Sequence, residues 1–193
     1  IESQPFDLRE CVESALDLVS ARAAEKELDT AYLLEGDVPP AVQGDVTRLR
    51  QILLNLLSNA VKFTERGEVV VSVNAATVAS GEIELTFAVR DTGIGLSAEG
   101  MSRLFQSFSQ ADSSTTRKYG GTGLGLATSR RHAALQGGRM SATSGGSGNG
   151  ANVCLTVSGP TASLTLASRG VVCGRPAAQA VHRRVGSEPT RPI

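Results

Sequence analysis

The sequence predicts an α/β (α+β) domain of two layers, in which helices cover one face of a mixed sheet. Segments with helical spacing of apolar residues alternate with short strand-like runs through the first 157 residues. The chain has 193 residues, of which 40% are hydrophobic and 20% charged, so it can bury one substantial core. We therefore expect one domain over residues 1–157, followed by a linker or disordered tail over 158–193.

Two helices and one strand are predicted in the first third of the chain. Asp7 followed by Glu10 resembles a capping box, and the first helix then has apolar residues at helical spacing: Leu8, Val12, Ala15, Val19 and Ala23. A weaker strand candidate spans residues 29–34. Asp45 is a suitable cap for a second helix, whose apolar positions include Leu49, Ile52, Leu53, Leu56, Leu57 and Ala60.

The rest of the domain is predicted to contain four strands and one further long helix. The strands cover residues 68–74, 82–90, 139–143 and 151–157. Between the second and third of them lie a glycine-punctuated stretch over 91–125, a short helical piece near 97–105, and a helix from about Leu124 to Gln136. One short strand around 163–167 is the most that we expect in the tail.

Charge and composition exclude several classes of protein. Lys and Arg number 19 and Asp and Glu also number 19, which argues against a dedicated nucleic-acid or membrane-surface protein. No apolar run approaches the ~20 residues of a membrane-spanning helix, and the three cysteines have no metal-ligand spacing. We expect a cytoplasmic domain without direct membrane insertion. The tail holds five arginines and one acid, which suits a solvated linker or, alternatively, a segment that binds an acidic partner.

Asn55, Asn59 and Lys62 form the first group of candidate site residues, within NLLSNAVKFT at 55–64. Residues four apart project from one face of a helix, and asparagine is a poor residue for a helix interior. Amide oxygens suit hard cations such as Mg²⁺, and a neighbouring lysine can neutralise phosphate charge. The alternative is two solvent-facing amides beside a surface lysine.

The second group is DTGIG at 91–95, directly after a predicted strand. Glycines let the backbone approach a planar ligand closely. A partly buried Asp91 needs hydrogen-bond donors, of which the exocyclic amine of adenine is one candidate. The alternative is an ordinary turn, since Asp-x-Gly is common in turns.

The third group is GGTGLGL at 120–126, ahead of a helix. Closely spaced glycines free backbone amides to converge on an anion, and the following helix N-terminus favours negative charge. Phe105 and Phe108 precede a polar stretch that has the composition of a mobile lid. The alternative for the glycine segment is a flexible surface loop.

In order along the chain, NLLSNAVKFT, DTGIG, LFQSF and YGGTGLGLA closely resemble the N, G1, F and G2 boxes of sensor histidine kinases, including hybrid kinases. The chain resembles their catalytic ATP-binding domain from about residue 1 to 157, within the superfamily shared with DNA gyrase, heat-shock chaperones and mismatch-repair ATPases. This resemblance implies a Bergerat-type fold: a mixed, mostly antiparallel sheet covered on one face by three helices.

The resemblance also implies roles for individual residues. Asn59 would coordinate Mg²⁺ with Asn55 in support, and Asp91 would bind the adenine amine of ATP, with Gly93 and Gly95 beside it. Lys62 would approach the phosphates, and Phe63 would line the site. The remaining implied ATP-site residues lie in or next to the lid: Phe105, Phe108, Lys118, Gly121, Thr122, Gly123, Leu124 and Gly125.

The implied activity is transfer of the γ-phosphoryl group from Mg·ATP to a histidine on a separate dimerisation and phosphoacceptor domain of the parent kinase. A response regulator receiver domain would act downstream, and the parent protein would be soluble or membrane-anchored. Neither His132 nor His182 lies in a segment that resembles the phosphoacceptor motif. The alternatives are a serine/threonine kinase of the anti-sigma-factor type and a non-catalytic ATP-sensing module of the same fold.

Overall fold

The computed structural model describes residues 3–78, 82–106, 125–159 and 182–184. The helices of these residues are α1 (Leu8–Glu25), α2 (Val46–Phe63), α3 (Ala98–Arg103) and α4 (Gly125–Leu135). The strands are β1 (Gln4–Asp7), β2 (Asp29–Glu35), β3 (Ala41–Gly44), β4 (Glu68–Thr77), β5 (Ile83–Asp91), β6 (Arg139–Ser144), β7 (Ala151–Gly159) and β8 (His182–Arg184).

The main sheet has six strands in the order β6-β7-β5-β4-β2-β8. Strands β2 and β4 are parallel, and every other neighbouring pair in the sheet is antiparallel. A parallel pair needs a crossover connection, and here the chain between β2 and β4 contains β3 and α2. The predicted mixed, mostly antiparallel sheet is therefore confirmed.

Both long N-terminal helices begin at the predicted caps. The Asp7 side chain accepts a hydrogen bond from Glu10 N (2.9 Å), and the Asp45 side chain accepts one from Arg48 N (3.0 Å). Each bond satisfies a backbone donor that has no partner within the helix. Asp45 also forms an ion pair with Arg48. The apolar positions predicted for α1 and α2 are all buried.

The hydrophobic core lies between the helices and one face of the main sheet. Alternate residues of the central strands point into it, as the two-residue period of a strand requires. The largest fully buried side chains of these strands are Val69, Val71, Val73, Phe87, Val89 and Leu155. Because α2 packs on both α1 and α4 over this face, it is held on both sides and provides a fixed platform for polar side chains.

Three strands were not predicted. Strands β1 and β3 pair with each other as a separate two-stranded sheet, and β8 lies in the predicted tail, paired antiparallel with β2. Strand β7 continues to Gly159, two residues beyond the expected domain end. The tail strand expected at 163–167 lies outside the described residues. None of the helices described here is both long and apolar enough to cross a membrane.

Candidate functional site

Helix α2 carries the first group of predicted site residues on the part of its surface that is not fully buried. Its sequence is strongly amphipathic, so seven apolar side chains face the core while Asn55, Asn59, Lys62 and Phe63 are half-buried. The polar groups are thus held at the margin of the core.

Asn55 contacts helix α4. Its Nδ2 donates a hydrogen bond to Oγ of the buried Ser129 (2.9 Å). A Cβ atom added to Gly125 would lie 2.4 Å from Asn55 Oδ1, so a side chain there would displace this amide. The structure therefore brings two predicted site residues, Asn55 and Gly125, into direct proximity.

Asn59 lies one turn further along α2. Among the described residues, its side-chain amide has no hydrogen-bond partner. A half-buried amide oxygen without a protein donor fits a hard cation that keeps waters and phosphate oxygens as its other ligands. No cluster of three or more His, Cys, Asp or Glu side chains in the described ranges could hold a metal by itself. The described residues that fit a Mg²⁺ ion here are therefore amides and not a cluster of carboxylates.

Asp91 ends strand β5, and its carboxylate is only partly used by the protein. Oδ1 accepts hydrogen bonds from Gly93 N (2.9 Å) and Ala151 N (3.3 Å). In the described part of the chain, Oδ2 has no partner. Burial raises the pKa of the Asp91 carboxyl, and the two backbone donors lower it without cancelling that effect. One carboxylate oxygen therefore remains available to accept from a ligand.

Glycines allow the loop after Asp91 to pack closely on its neighbours. A Cβ added to Gly93 would lie 2.3 Å from Phe63 O, and Ile94 N donates to that same carbonyl (3.1 Å). Gly95 has a φ of +66°, and a Cβ there would lie 2.2 Å from Gly146 O. The loop is thus seated between the C-terminal end of α2 and the turn that joins β6 to β7.

Lys26 positions the end of α2, although its sequence context did not identify it. Its Nζ donates to the carbonyls of Val61 (2.9 Å), Lys62 (2.9 Å) and Thr64 (3.0 Å). A cation at a helix C-terminus satisfies carbonyls that have no partner within the helix and interacts favourably with the helix dipole. Lys26 and Val61 are 35 residues apart in sequence, so this role becomes visible only in the folded protein.

Phe63 and Phe105, both predicted site residues, each make a cation–π contact. Lys62 Nζ lies 4.9 Å from the centroid of the Phe63 ring, and Arg130 of α4 lies over the Phe105 ring at 5.6 Å. Phe105 thus connects the end of the short helix α3 to α4. The other predicted lid and phosphate-site residues lie outside the described residues: Phe108, Lys118, Gly121, Thr122, Gly123 and Leu124.

The turn between β6 and β7 is the second element that the sequence did not assign to the site. Ser144, the last residue of β6, and Gly148 and Gly150 of the turn each make a hydrogen bond to the loop that follows Asp91. Apart from its glycines, the turn has no pattern that indicates a binding role. A cavity of about 280 Å³ between α1 and β2 contains none of the predicted site residues.

Comparison with known proteins places this geometry in context. Residues 44–161 match the family described as histidine kinase-, DNA gyrase B-, and HSP90-like ATPase. The sensor protein GacS of Pseudomonas syringae pv. syringae is 43% identical over 140 residues, which are 72% of this chain and 15% of that protein. The signal transduction histidine-protein kinase BarA of Escherichia coli K12 is 40% identical over 141 residues, 73% of this chain and 15% of that protein. The chain therefore spans only a small part of these relatives.

Solved structures show the same fold. Full-length ShkA, crystallised in complex with AMPPNP, is 35% identical with a TM-score of 0.68 over 81% of this chain and 31% of that one. The nucleotide-free catalytic domain of histidine kinase ThkA is 21% identical with a TM-score of 0.66, over 82% of this chain and 98% of that one. At that identity the second likeness concerns the fold alone.

Proposed function

The chain belongs to the family of histidine kinase-, DNA gyrase B-, and HSP90-like ATPases, and we propose that it is the catalytic domain of a protein histidine kinase. In this proposal it binds Mg·ATP and donates the γ-phosphoryl group to a histidine on a separate dimerisation and phosphoacceptor domain. A response regulator receiver domain takes the phosphoryl group next, in a two-component phosphorelay. No nucleic acid takes part.

The main support for the proposal is the carboxylate of Asp91, of which only one oxygen accepts hydrogen bonds from the described residues. Its Oδ1 is bound by two backbone amides, whereas Oδ2 is available to the adenine amine. Gly93 and Gly95 let the adjoining loop pack closely on Phe63 and Gly146, which fixes the backbone beside the carboxylate. Guanine presents a carbonyl oxygen where adenine presents its amine, and the carboxylate would repel it.

The phosphates are proposed to lie along α2. Asn59, with Asn55 in support, would hold Mg²⁺, and the ammonium group of Lys62 would approach the phosphates. When bound, Mg²⁺ neutralises phosphate charge. Lys62 lies next to Phe63, whose carbonyl accepts a hydrogen bond from Ile94 N in the loop after Asp91. One helix end therefore connects the base-binding and phosphate-binding parts of the site.

The proposed reaction is an in-line displacement. An imidazole nitrogen of the acceptor histidine attacks the γ-phosphorus, the bond from that phosphorus to the β–γ bridging oxygen breaks, and ADP leaves. Such transfers depend mainly on positioning and on neutralisation of charge. The contribution of this chain is therefore to orient ATP, and the attacking nitrogen comes from another domain.

A chimaeric kinase tests the proposal. Residues 1–159, to the end of β7, replace the matching segment of Pseudomonas syringae GacS, and the chimaera is incubated with ATP labelled at the γ-phosphate. We expect acid-labile, base-stable phosphate on the acceptor histidine of the GacS portion. Native GacS and a chimaera carrying Asp91→Ala are the positive and negative controls.

The same assay separates the alternative functions. Acid-stable phosphate on serine or threonine would indicate the anti-sigma-factor type of kinase. ATP binding without any transfer in a folded chimaera would indicate a nucleotide-sensing module. Incubated alone, the isolated chain should acquire no label, because neither His132 nor His182 lies in an acceptor-like segment. Acid-labile phosphate on either histidine would contradict that expectation.

A further inference from the structure

We infer that Ser144 is a positioning residue of the proposed adenine site, because its hydroxyl fixes the peptide unit whose amide binds the Asp91 carboxylate. The inference rests on the proposed function only in naming adenine as the ligand. It assigns a role in base recognition to the turn between β6 and β7.

Ser144 Oγ contacts backbone groups of three residues. It donates to Gly150 O (2.6 Å), which is much nearer than Gly146 O (3.4 Å), and it accepts from Leu96 N (3.0 Å), while Gly146 N approaches it at 3.3 Å. A hydroxyl has one donor hydrogen and two acceptor lone pairs. The short bond to Gly150 therefore uses the single donor, and the lone pairs serve the two amides.

The acceptor of that bond belongs to the peptide unit that binds Asp91. The carbonyl of Gly150 and the N–H of Ala151 form one planar peptide group. Ser144 Oγ binds the carbonyl, and the N–H donates to Asp91 Oδ1. Fixing one end of a rigid plane orients the other end, and a bond accepted at the carbonyl polarises the N–H as a donor.

Backbone contacts hold the same turn against the loop after Asp91. Gly148 N donates to Ile94 O (2.6 Å), and Gly150 N donates to Gly93 O (3.1 Å). Gly150 has a φ of +67°, and a Cβ there would lie 2.1 Å from Asp91 O. The turn therefore packs directly on the Asp91 backbone, and the Ser144 hydroxyl adds a side-chain link between Leu96 N and Gly150 O.

Loss of the hydroxyl should let the Gly150–Ala151 peptide tilt, although the backbone contacts of the turn remain. The already long bond from Ala151 N to Asp91 Oδ1 would then weaken, and the carboxylate would be oriented less well towards the base. The loss of one such hydrogen bond corresponds to a decrease in ATP affinity of about 3- to 10-fold.

The test compares Ser144→Ala with Ser144→Thr, which keeps the hydroxyl. Ser147→Ala is the matched control, because Ser147 is an exposed residue of the same turn whose side chain makes no hydrogen bond among the described residues. Calorimetry measures the dissociation constant of Mg·ATP, and carbon NMR of the free protein measures the pKa of the Asp91 carboxyl. We expect Ser144→Ala to weaken ATP binding and to raise that pKa further, while the other two variants resemble the wild type.

A double-mutant cycle distinguishes positioning from general loss of stability. In an Asp91→Ala background, Ser144→Ala should have no additional effect on ATP affinity, because its effect acts through the carboxylate. Equal losses in both backgrounds, or a folded Ser144→Ala protein with the wild-type pKa at Asp91, would overturn the inference. If Ser144→Ala does not fold, Ser144→Cys keeps the side-chain volume with a weaker donor and replaces it in every comparison.

The NMR measurement also separates this inference from the proposed function, since it needs no nucleotide. A wild type that does not bind Mg·ATP would refute the proposed function. A pKa at Asp91 that responds to Ser144→Ala, and not to Ser147→Ala, would still establish the connection between the turn and the carboxylate.

Discussion

The loop after Asp91 and the polar surface of α2 both carry predicted ATP-site residues, but the protein prepares them to different degrees. In the loop, backbone hydrogen bonds and close glycine contacts fix nearly every group, and one carboxylate oxygen remains available. On α2, Asn55 is bound to Ser129, whereas the Asn59 amide has no partner in the described ranges. The proposed base-binding loop is thus fixed by contacts within the protein, whereas the proposed metal site would be completed by its ligands.

The largest expected effect follows from disturbing the prepared loop. Gly95→Ala would place a Cβ 2.2 Å from Gly146 O at a φ of +66°. Left-handed backbone costs a non-glycine residue about 1–2 kcal/mol, and overpacking adds about 1–3 kcal/mol. We expect the free energy of unfolding in urea to fall by about 2–5 kcal/mol, together with loss of ATP binding.

Gly36→Ala is the control for the backbone conformation alone. Gly36 has a φ of +72°, yet a Cβ there would meet nothing within 4 Å. Its substitution should cost only about 1–2 kcal/mol and should leave ATP affinity unchanged. Equal destabilisation by the two substitutions would show that close packing of the loop contributes nothing.

The next effect concerns the base itself. Asp91→Ala should weaken ATP binding roughly 10- to 150-fold, as expected for a hydrogen bond to a charged group worth ~1.5–3 kcal/mol. Wild-type protein should bind GTP poorly, and the substitution should change GTP affinity little. Competition titrations with both nucleotides on both proteins measure this. If the wild type bound the two nucleotides equally, Asp91 would be a structural turn residue.

Substitution of Asn55 should mainly lower stability, whereas substitution of Asn59 should mainly lower the affinity for ATP. Asn55→Ala leaves the buried Ser129 hydroxyl without its partner, so it should lower the free energy of unfolding by about 1–3 kcal/mol. Asn59→Ala should change stability by less than about 0.5 kcal/mol, but it should reproduce most of the loss of ATP affinity that chelation of Mg²⁺ causes. Calorimetry with and without Mg²⁺ decides this. Equal affinity in both conditions would contradict the role proposed for Asn59.

The smallest expected effect is the contribution of Asp91 to the pH dependence of the free energy of unfolding. Because burial raises the pKa of Asp91, the ionised form is less favourable in the folded protein than in the unfolded chain. Ionisation of Asp91 therefore lowers the free energy of unfolding. This loss is absent at a pH below the ordinary pKa of the carboxyl and is complete at a pH above its raised pKa in the folded protein. Asp91→Asn keeps an acceptor oxygen without the charge, so it should stabilise the protein at neutral pH but not in acid. Urea unfolding at both pH values tests the sign, and a less stable variant at neutral pH would contradict it.

The sequence predicted the parts of this fold that local patterns specify. Apolar periodicity located α1 and α2, and aspartates at their starts act as the caps that their positions indicated. Strands β1 and β3 were not predicted. Each has only four residues, and they pair with each other only in the tertiary structure. A run of that length shows too little alternation to distinguish a strand from a loop.

The site divides in the same way. Asp91 and its glycines were predicted as site residues because a strand followed by DTGIG is a local pattern. Lys26 and Ser144 were not predicted, because a lysine that caps a distant helix and a serine that accepts from a distant backbone amide resemble ordinary surface residues in sequence. Their roles exist only after segments 35 or more residues apart come together.

The register that places Ala151 opposite Asp91 also sets the order of events during synthesis on the ribosome. The second donor to the carboxylate lies 60 residues after it, and at ~5–20 residues per second these take roughly 3–12 s to add. Until β7 has emerged and paired with β5, a nascent chain contains Asp91 but not the arrangement that orients it. The proposed adenine-binding arrangement therefore forms only after β7 has been synthesised and has paired with β5.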